Sequence, residues 1–326
     1  MTHALRRIHI IVNPASGGDR PVLKILNAAL HPCGVDWDIF VTKGAGDALR
    51  YAAAALEAGV DAVGVYGGDG TVMEVATALA GHATPVAIFP GGTANVIAVE
   101  LGIPGDLAQA CALICAPDCS VRAIDVGQMG DHMFLTRVGL GLEAAVVEAT
   151  DRAQKDRMGW LAYALNTLRQ MANPQVSRYV VTIDGGRFET EGLLCLIANS
   201  GIIVANAAPG GTPLRIAPTI RVDDGLLDVV VIRPSSLGAL LAVAASVVAN
   251  GAEAEPLLHW QGCEITVEAQ PPQSVQLDGE VVGRAPVAVR VRPRALHVIV
   301  PAAAEEAARP GEAAGEAAPE LKLPAR

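Results

Sequence analysis

The N-terminal third of the chain alternates between short apolar runs and longer stretches with helical spacing. The apolar runs predict strands at residues 8–12, 35–41, 62–66 and 85–89. The stretches between and after them predict helices at residues 21–30, 46–58, 72–79 and 96–101. Strands and helices that alternate with short connections predict a parallel, doubly wound α/β domain, with its ligand at the carboxyl ends of the strands.

Polar, glycine-containing loops follow three of these strands, so they are expected to converge at that edge of the sheet. They are Asn13 to Gly18, Gly67 to Thr71 and Pro90 to Asn95. Glycine lets backbone N–H groups approach a ligand, and a helix start adds partial positive charge, so the second loop suits a phosphate. Asp69 in that loop suggests a metal ion as well. The alternative is a turn that merely allows tight packing, and one such loop alone is weak evidence.

Beyond about Arg122 the pattern changes to the alternation of half-buried antiparallel strands. A hairpin is predicted over 124–138 and a helix over 158–171. Further strand-like runs predict a mostly antiparallel β-sandwich; they span 178–184, 188–198, 226–232, 263–268, 274–278 and 287–291. The predicted division is a nucleotide-binding domain over 1–122, a β-rich acceptor domain over 123–300, and a disordered tail rich in Ala, Glu, Pro and Gly over 301–326.

Composition narrows the classes of function. A chain of 326 residues with 51% hydrophobic residues can form two domains. The net charge of −10 gives no general attraction for nucleic acid or for an anionic membrane. The N-terminus lacks the apolar stretch of a signal peptide. The run from Leu237 to Val248 is roughly half a membrane span, so it predicts a core-facing helix, with a membrane-surface helix as the alternative.

The cysteines are sparse and follow no zinc spacing, which favours reduced thiols in a cytoplasmic setting. Cys111, Cys115 and Cys119 lie four residues apart and could share a helix face, as metal ligands do. Pro117 would interrupt that face, so buried small residues near a helix end are the preferred interpretation.

The Gly67-Gly68-Asp69-Gly70-Thr71 sequence, in a chain without a Walker loop, resembles the nucleotide signature of diacylglycerol and sphingosine lipid kinases, NAD kinases and, more distantly, phosphofructokinases. Three further motifs narrow the resemblance: the segments 13–18 and 90–95, and Leu277-Asp278-Gly279-Glu280. Together, in this order and over the chain to about residue 300, they resemble the bacterial diacylglycerol kinase-like lipid kinases.

That resemblance implies ATP and Mg²⁺ in the cleft between the two domains. The residues implied in ATP binding come from the three loops, the helix after the second loop, and the end of the second strand: Asn13, Thr42, Gly68, Asp69, Gly70, Thr71, Val72, Met73, Glu74, Gly92 and Thr93. Met73 and Val96 depart from the family, because relatives usually carry Asn at the first position and often Asp at the second.

The resemblance also implies that Glu280 is the general base that removes the proton from a lipid hydroxyl. Asp69, Asp125 and Asp278 are candidates to organise Mg²⁺ and water around it. A second, structural Mg²⁺ site is implied at the Asp224 carboxylate with backbone oxygens of Arg221 and Leu226. The alternative for both Asp-Gly sequences is an ordinary solvated hairpin turn.

The function implied is transfer of the γ-phosphoryl group of ATP to a lipid hydroxyl by a cytoplasmic protein that contacts the inner membrane surface. Diacylglycerol is the expected acceptor; sphingoid bases, ceramide and phosphatidylglycerol are alternatives. An NAD kinase is the rival enzyme, and the 13–18 motif, typical of the lipid kinases, argues against it. A catalytically degenerate nucleotide-binding regulator is the non-enzyme alternative. A homodimer is an expectation from the family.

Overall fold

A computed structural model describes the chain in six ranges that cover both predicted domains. The described residues are 5–116, 119–141, 176–204, 213–217, 219–233 and 257–302. The helices predicted at 158–171 and 237–248 and residues 303–326 of the tail predicted over 301–326 lie outside these ranges. Pro301, the first residue of that predicted tail, ends the last strand of the structure.

The N-terminal part alternates strands and helices as the pattern predicts. Its elements are β1 Arg7–Val12, α1 Val22–Leu30, β2 Asp36–Val41, α2 Asp47–Glu57, β3 Ala62–Gly67, α3 Asp69–Leu79, β4 Val86–Pro90, α4 Val96–Glu100 and α5 Leu107–Ala112. The first four strands run parallel in the order β2-β1-β3-β4. Strand β3 is buried at every residue, as a central strand covered on both faces should be. The predicted α/β architecture is confirmed.

The rest of the described chain is almost entirely strand. Its elements are β5 Cys119–Met129, β6 His132–Phe134, β7 Arg137–Gly141, β8 Ser177–Ile183, β9 Gly186–Gly192, β10 Leu194–Ala198, β11 Ile202–Val204, β12 Leu214–Arg215, β13 Leu227–Ile232, β14 Leu257–Gly262, β15 Glu264–Gln270, β16 Ser274–Leu277, β17 Glu280–Arg284 and β18 Val287–Pro301.

These strands form the predicted sandwich. One layer is an antiparallel sheet in the order β14-β13-β10-β7-β16-β17. The facing layer is the antiparallel arm β18-β15-β8-β9. Buried residues of both layers, such as Leu140 and Val229 on one and Tyr179 and Val267 on the other, form a single apolar cluster. The second domain is therefore a mostly antiparallel β-sandwich with its own core.

Strand β18 connects the two architectures. Its C-terminal part lies beside β4, in parallel, at Val298 and Val86, while its N-terminal part pairs with β15. The parallel sheet and one layer of the sandwich thus belong to one ten-stranded sheet. The predicted domain boundary near residue 122 stays a prediction. Strand β5 runs through residue 122 and pairs with β18, which belongs to the shared sheet.

Several elements were not predicted by the pattern. Strand β17 is exposed along its whole length, so its sequence carries no alternation between core and solvent. Strand β14 and helix α5 were also missed, and the run predicted over 188–198 is two strands, β9 and β10.

The interpretation of all the cysteines as reduced thiols is wrong for two of them. Cys33 and Cys115 form a disulfide with Cα atoms 5.7 Å apart, across 82 residues of sequence. Cys33 ends a short 3-10 turn after α1, and Cys115 follows α5. Spacing along the chain could not predict this pair, because it depends on the packing of α1 against α5. Cys111, Cys195 and Cys263 are free thiols, the first two of them buried.

Candidate active site

The three glycine loops meet at the carboxyl ends of β1, β3 and β4. A Cβ atom on Gly92 would lie 2.5 Å from the Cα of Gly68, so the second and third loops touch through their main chains. The Asn13 amide donates a hydrogen bond of 2.9 Å to the Thr71 hydroxyl and so joins the first loop to α3. The convergence expected from a parallel sheet is therefore present, and glycine is needed where two backbones approach this closely.

Asp69 lies between the second loop and the start of α4. The backbone N–H groups of Ile97, Val96 and Asn95 are near enough to its carboxylate to lower its pKa. Burial, the largest cause, raises the pKa of Asp69, and the negative charge of Asp278 raises it further. A carboxylate in this position could hold a cation, because carboxylate oxygens are ligands that Mg²⁺ prefers.

Helix α3 begins at Asp69 without a capping side chain. Its N-cap residue, Gly68, is extended and offers no side-chain oxygen, and the first intrahelical bond joins Val72 N to Gly68 O. The N–H groups of the first turn have no intrahelical acceptors, and the helix dipole adds partial positive charge there. This helix start is suited to a phosphate group.

Three other residues implied in nucleotide binding differ in their exposure and in their hydrogen bonds. Thr93 is exposed on the third loop, and Thr42 is buried, with its N–H bonded to Val12 O. The Glu74 carboxylate accepts hydrogen bonds from backbone N–H groups at the start of α2, those of Gly46, Ala48 and Leu49. Glu74 thus caps α2, which positions that helix against α3.

The two residues that depart from the family pattern pack as apolar side chains. Met73 lies on α3 against the core of the parallel sheet, and the Val96 side chain is buried at the first position of α4. The Val96 N–H group is still near enough to the Asp69 carboxylate to lower its pKa. An apolar side chain at position 96 does not remove this main-chain group.

Asp278 and Gly279 form the two-residue turn between β16 and β17. Both have positive φ, +44° and +96°, as a hairpin turn of this length requires. The turn is more than a solvated connection, because the Asp278 carboxylate accepts hydrogen bonds from the N–H groups of Leu135, Thr136 and Arg137 and from the Thr136 hydroxyl. Three of these donors reach Oδ1 and one reaches Oδ2, and together they fix the turn against β7.

Glu280 follows the turn as the first residue of β17, and its side chain is exposed. The charge of Asp278, two residues before it, acts on Asp69 in the glycine loops. The tertiary structure thus brings the Asp-Gly-Glu turn of the sandwich next to the loops of the parallel sheet, although more than 200 residues of sequence separate them.

Both halves of the chain match models of known protein families. Residues 7–129 match the model of the diacylglycerol kinase catalytic domain, and residues 136–300 match that of the YegS C-terminal NAD kinase β-sandwich-like domain. A "Probable lipid kinase YegS-like" of Pseudomonas putida is 33% identical over 284 residues, which cover 86% of this chain and 91% of that protein. The chain belongs to the bacterial diacylglycerol kinase-like lipid kinase family.

Two further relatives of this lipid kinase carry a diacylglycerol kinase name. The diacylglycerol kinase of Bacillus subtilis is 26% identical over 304 residues, or 91% of this chain and 97% of that one. A solved structure described as a diacylglycerol kinase from Bacillus anthracis is 27% identical, with a TM-score of 0.77, and covers 93% of this chain and 99% of its own. The resemblance found in the motifs is confirmed at the level of the family.

Asp125 lies in a second acidic region of the lipid kinase, around the loop at residues 221–226. Its carboxylate is fully buried and accepts hydrogen bonds from Gly225 N at 2.6 Å and Arg294 N at 2.7 Å. Burial, and then the charge of Asp223, raise the pKa of Asp125. These bonds associate Asp125 with the 221–226 loop, whereas Asp69 belongs to the glycine loops and Asp278 to the turn after β16.

The implied second metal site can be tested against the surroundings of Asp224. Burial raises the pKa of Asp224, and so do the carboxylates of Asp228, Asp125 and Asp223. Such an excess of negative charge suits a cation. Within the described ranges, no three His, Cys, Asp or Glu side chains form a set that could hold a metal ion. A Mg²⁺ ion here would therefore depend on main-chain oxygens beside one carboxylate, which is the donor set that the resemblance implies.

Two groups of contacts at the site were missed by the sequence analysis. The Asn199 amide donates to Asp125 O and Leu135 O, and the N–H groups of Asn199 and Ser200 bond Thr136 O. Asn199 thereby supports the segment that holds Asp278. A polar Asn-Ser pair directly after the buried strand β10 was the available signal.

The second group of contacts that the sequence did not predict joins the two domains. The Glu100 carboxylate, at the end of α4, accepts hydrogen bonds from the Ser200 hydroxyl at 2.6 Å and Ile202 N at 3.3 Å, and pairs with Arg215 at 2.7 Å. Helix α4 begins directly after the third glycine loop, so this contact connects that loop to the sandwich.

No helix in the described part of the chain is long and apolar enough to cross a bilayer.

Proposed function

We propose that this lipid kinase transfers the γ-phosphoryl group of ATP to the hydroxyl group of diacylglycerol. The observation that carries the proposal is a series of hydrogen bonds that links the Asp278-Gly279-Glu280 turn to the glycine loops. Asp278 accepts from Thr136 N, Thr136 O accepts from the N–H groups of Asn199 and Ser200, and the Ser200 hydroxyl donates to Glu100 at the end of the helix that follows the third loop. A phosphoryl transfer site needs a phosphate cradle and a proton acceptor on opposite sides of one cleft. The diacylglycerol kinase names of two relatives favour this acceptor.

In the proposed reaction, Glu280 accepts the proton of the lipid hydroxyl as its oxygen forms a bond to the γ-phosphorus. The bond between that phosphorus and the β,γ-bridging oxygen breaks, and ADP leaves. Glu280 is exposed on a turn that Asp278 holds in place, so it is accessible to an acceptor. We assign Asp278 the task of fixing the turn, because its carboxylate accepts four hydrogen bonds from residues 135–137.

On the nucleotide side, we propose that ATP binds at Asn13, Thr42, the segment from Gly68 to Glu74, Gly92 and Thr93. The uncapped start of α3 would receive phosphate groups. Mg²⁺, held by the Asp69 carboxylate, would neutralise charge on the phosphates. Glu74 would contribute indirectly by fixing α2, and Asp125 by supporting the 221–226 loop, where Arg221, Asp224 and Leu226 would bind a second Mg²⁺.

We further propose that the protein acts in the cytoplasm at the inner membrane surface, where its acceptor resides, and that it forms a homodimer. The family supports the lipid acceptor and so supports contact with a membrane surface. Sedimentation with vesicles containing diacylglycerol, and mass measurement by light scattering, test these two statements.

The activity is tested with purified protein, Mg²⁺ and ATP labelled at the γ-phosphate. Mixed micelles present diacylglycerol, sphingosine, ceramide or phosphatidylglycerol in separate reactions, and NAD is tried without lipid. We expect labelled phosphatidic acid. Label on NAD alone would identify the rival enzyme, and ATP binding without transfer to any acceptor would favour a nucleotide-binding regulator.

A further inference from the structure

Tyr66 is a buried aromatic residue directly beneath the glycine loops. It is the last residue but one of β3 and is 1% exposed. A Cβ atom on Gly17 would lie 1.8 Å from the Tyr66 hydroxyl oxygen, and one on Gly91 would lie 3.0 Å from the ring carbon that carries it. The hydroxyl end of the ring therefore touches the main chain of both the first and the third loop.

The Tyr66 hydroxyl is buried and has no hydrogen-bond partner among the described residues. Buried polar groups are almost always paired, because burying one without a partner destabilises the folded state. The buried Tyr179 in the sandwich shows the usual arrangement, with its hydroxyl directed to Leu140 O at 3.5 Å. An unpaired hydroxyl at Tyr66, by contrast, indicates that its partner is a group outside the described residues.

The position of the hydroxyl indicates the chemistry of that partner. It lies where the first and third loops meet, beside β3, which leads directly into the uncapped start of α3. The residue above it, Gly17, has φ +77°, and the next, Gly18, has φ +59°, so the main chain there follows a path that residues with side chains rarely adopt. Because Gly17 has no side chain, a small shift of its main chain would open the hydroxyl to a ligand in the loops.

We infer that the Tyr66 hydroxyl donates a hydrogen bond to a phosphoryl oxygen of bound ATP. This inference rests on the proposed function, since it assigns a further binding residue to the same nucleotide site. The phosphoryl oxygen is a charged acceptor, so the bond is of the stronger, charge-assisted kind. Binding then supplies a partner that the described residues do not give the hydroxyl, and Tyr66 couples the first and third loops to the nucleotide.

The test compares Tyr66→Phe with the natural protein in two measurements. Thermal unfolding without ligand should show an unchanged or higher melting temperature for Tyr66→Phe, because the substitution removes an unpaired hydroxyl and keeps the ring. Calorimetric titration with Mg-ATP should show binding weakened about tenfold, as expected for loss of a hydrogen bond to a charged group.

Tyr179→Phe is the matched control, because it removes a buried hydroxyl that has an acceptor and lies in the other domain. It should leave the ATP dissociation constant unchanged and lower or preserve the melting temperature. Equal ATP affinity in Tyr66→Phe and the natural protein would overturn the inference. So would a clearly lower melting temperature of Tyr66→Phe without ligand, since that would reveal a partner within the chain. If the natural protein itself failed to bind ATP, the proposed function would fail first.

Discussion

At the scale of single residues, the two carboxylates of the turn after β16, Asp278 and Glu280, have different surroundings. Asp278 accepts four hydrogen bonds from residues 135–137, whereas Glu280 projects from the exposed strand β17. An Asp-Gly-Glu sequence predicts a hairpin turn by itself, but only the structure shows that its first carboxylate is used to hold the turn. The second carboxylate remains as the proposed base.

Glu280→Gln should reduce phosphoryl transfer at least 100-fold while ATP affinity stays within about twofold, since an amide cannot accept the proton. The measurement combines the labelled-lipid assay with calorimetric titration of Mg-ATP. Glu57→Gln, at an exposed position at the end of α2, is the control and should behave as the natural protein. Undiminished transfer by Glu280→Gln would remove this residue from the mechanism.

At the scale of elements, the contact of Gly68 with Gly92 sets the distance between two loops. Gly92→Ala would place a Cβ atom 2.5 Å from a main-chain carbon, so the loops must separate. We expect destabilisation of about 1–3 kcal/mol, as for other overpacked sites, and ATP binding weakened at least tenfold. Chemical denaturation and calorimetric titration measure the two effects.

Gly44→Ala is the control for this substitution. A Cβ atom at Gly44 meets nothing within 4 Å, and its φ is not positive. Its stability should therefore equal that of the natural protein. If Gly92→Ala were as stable as Gly44→Ala, the close contact of the loops would be refuted.

The disulfide between Cys33 and Cys115 is a second feature at this scale, because it joins the turn after α1 to the end of α5. It closes a loop of 82 residues in the unfolded chain, so Cys33→Ser should lower the free energy of unfolding by about 2–4 kcal/mol under oxidising conditions. With a reducing agent present, the variant and the natural protein should be equally stable.

Urea denaturation with and without the reducing agent measures the effect of the disulfide. Cys263→Ser, which alters a free exposed cysteine, should match the natural protein in both conditions. A stability difference that persisted in the reducing agent would mean that packing at Cys33, and not the bond, is responsible.

At the scale of the whole molecule, Glu100 joins the N-terminal α/β domain to the sandwich. Its carboxylate is 6% exposed and accepts from Ser200, Ile202 and Arg215. Glu100→Ala would leave these donors without their acceptor, so we expect a loss of about 2–4 kcal/mol in the free energy of unfolding. Because the contact aligns the glycine loops with the segment that holds Asp278, kcat should fall more than the KM for ATP rises.

Glu100→Gln keeps one acceptor oxygen and should recover part of both losses, whereas Glu57→Ala at an exposed site should change neither. Denaturation curves and steady-state kinetics give the two readouts. A stability loss in Glu100→Ala with unchanged kcat would show that the contact holds the domains together without aligning the site.

The sequence alone determined the local architecture and the family of this protein. Apolar runs and helical spacing predict β1 to β4 and α1 to α4, because these elements bury continuous or periodic faces against a core. The four motifs, in their order, identify the lipid kinases. Exposed β17 and short α5 escaped prediction, since neither presents a regular apolar pattern.

The tertiary structure decided which polar groups are available for chemistry. Asp125, Asp278 and Glu74 are all carboxylates in the sequence, yet each is bonded to backbone N–H groups of a different segment. These contacts join elements that lie far apart in the chain. The same is true of the disulfide between Cys33 and Cys115 and of the packing of the Tyr66 hydroxyl against Gly17. Such contacts arise only when the sheets pack, so no local pattern encodes them.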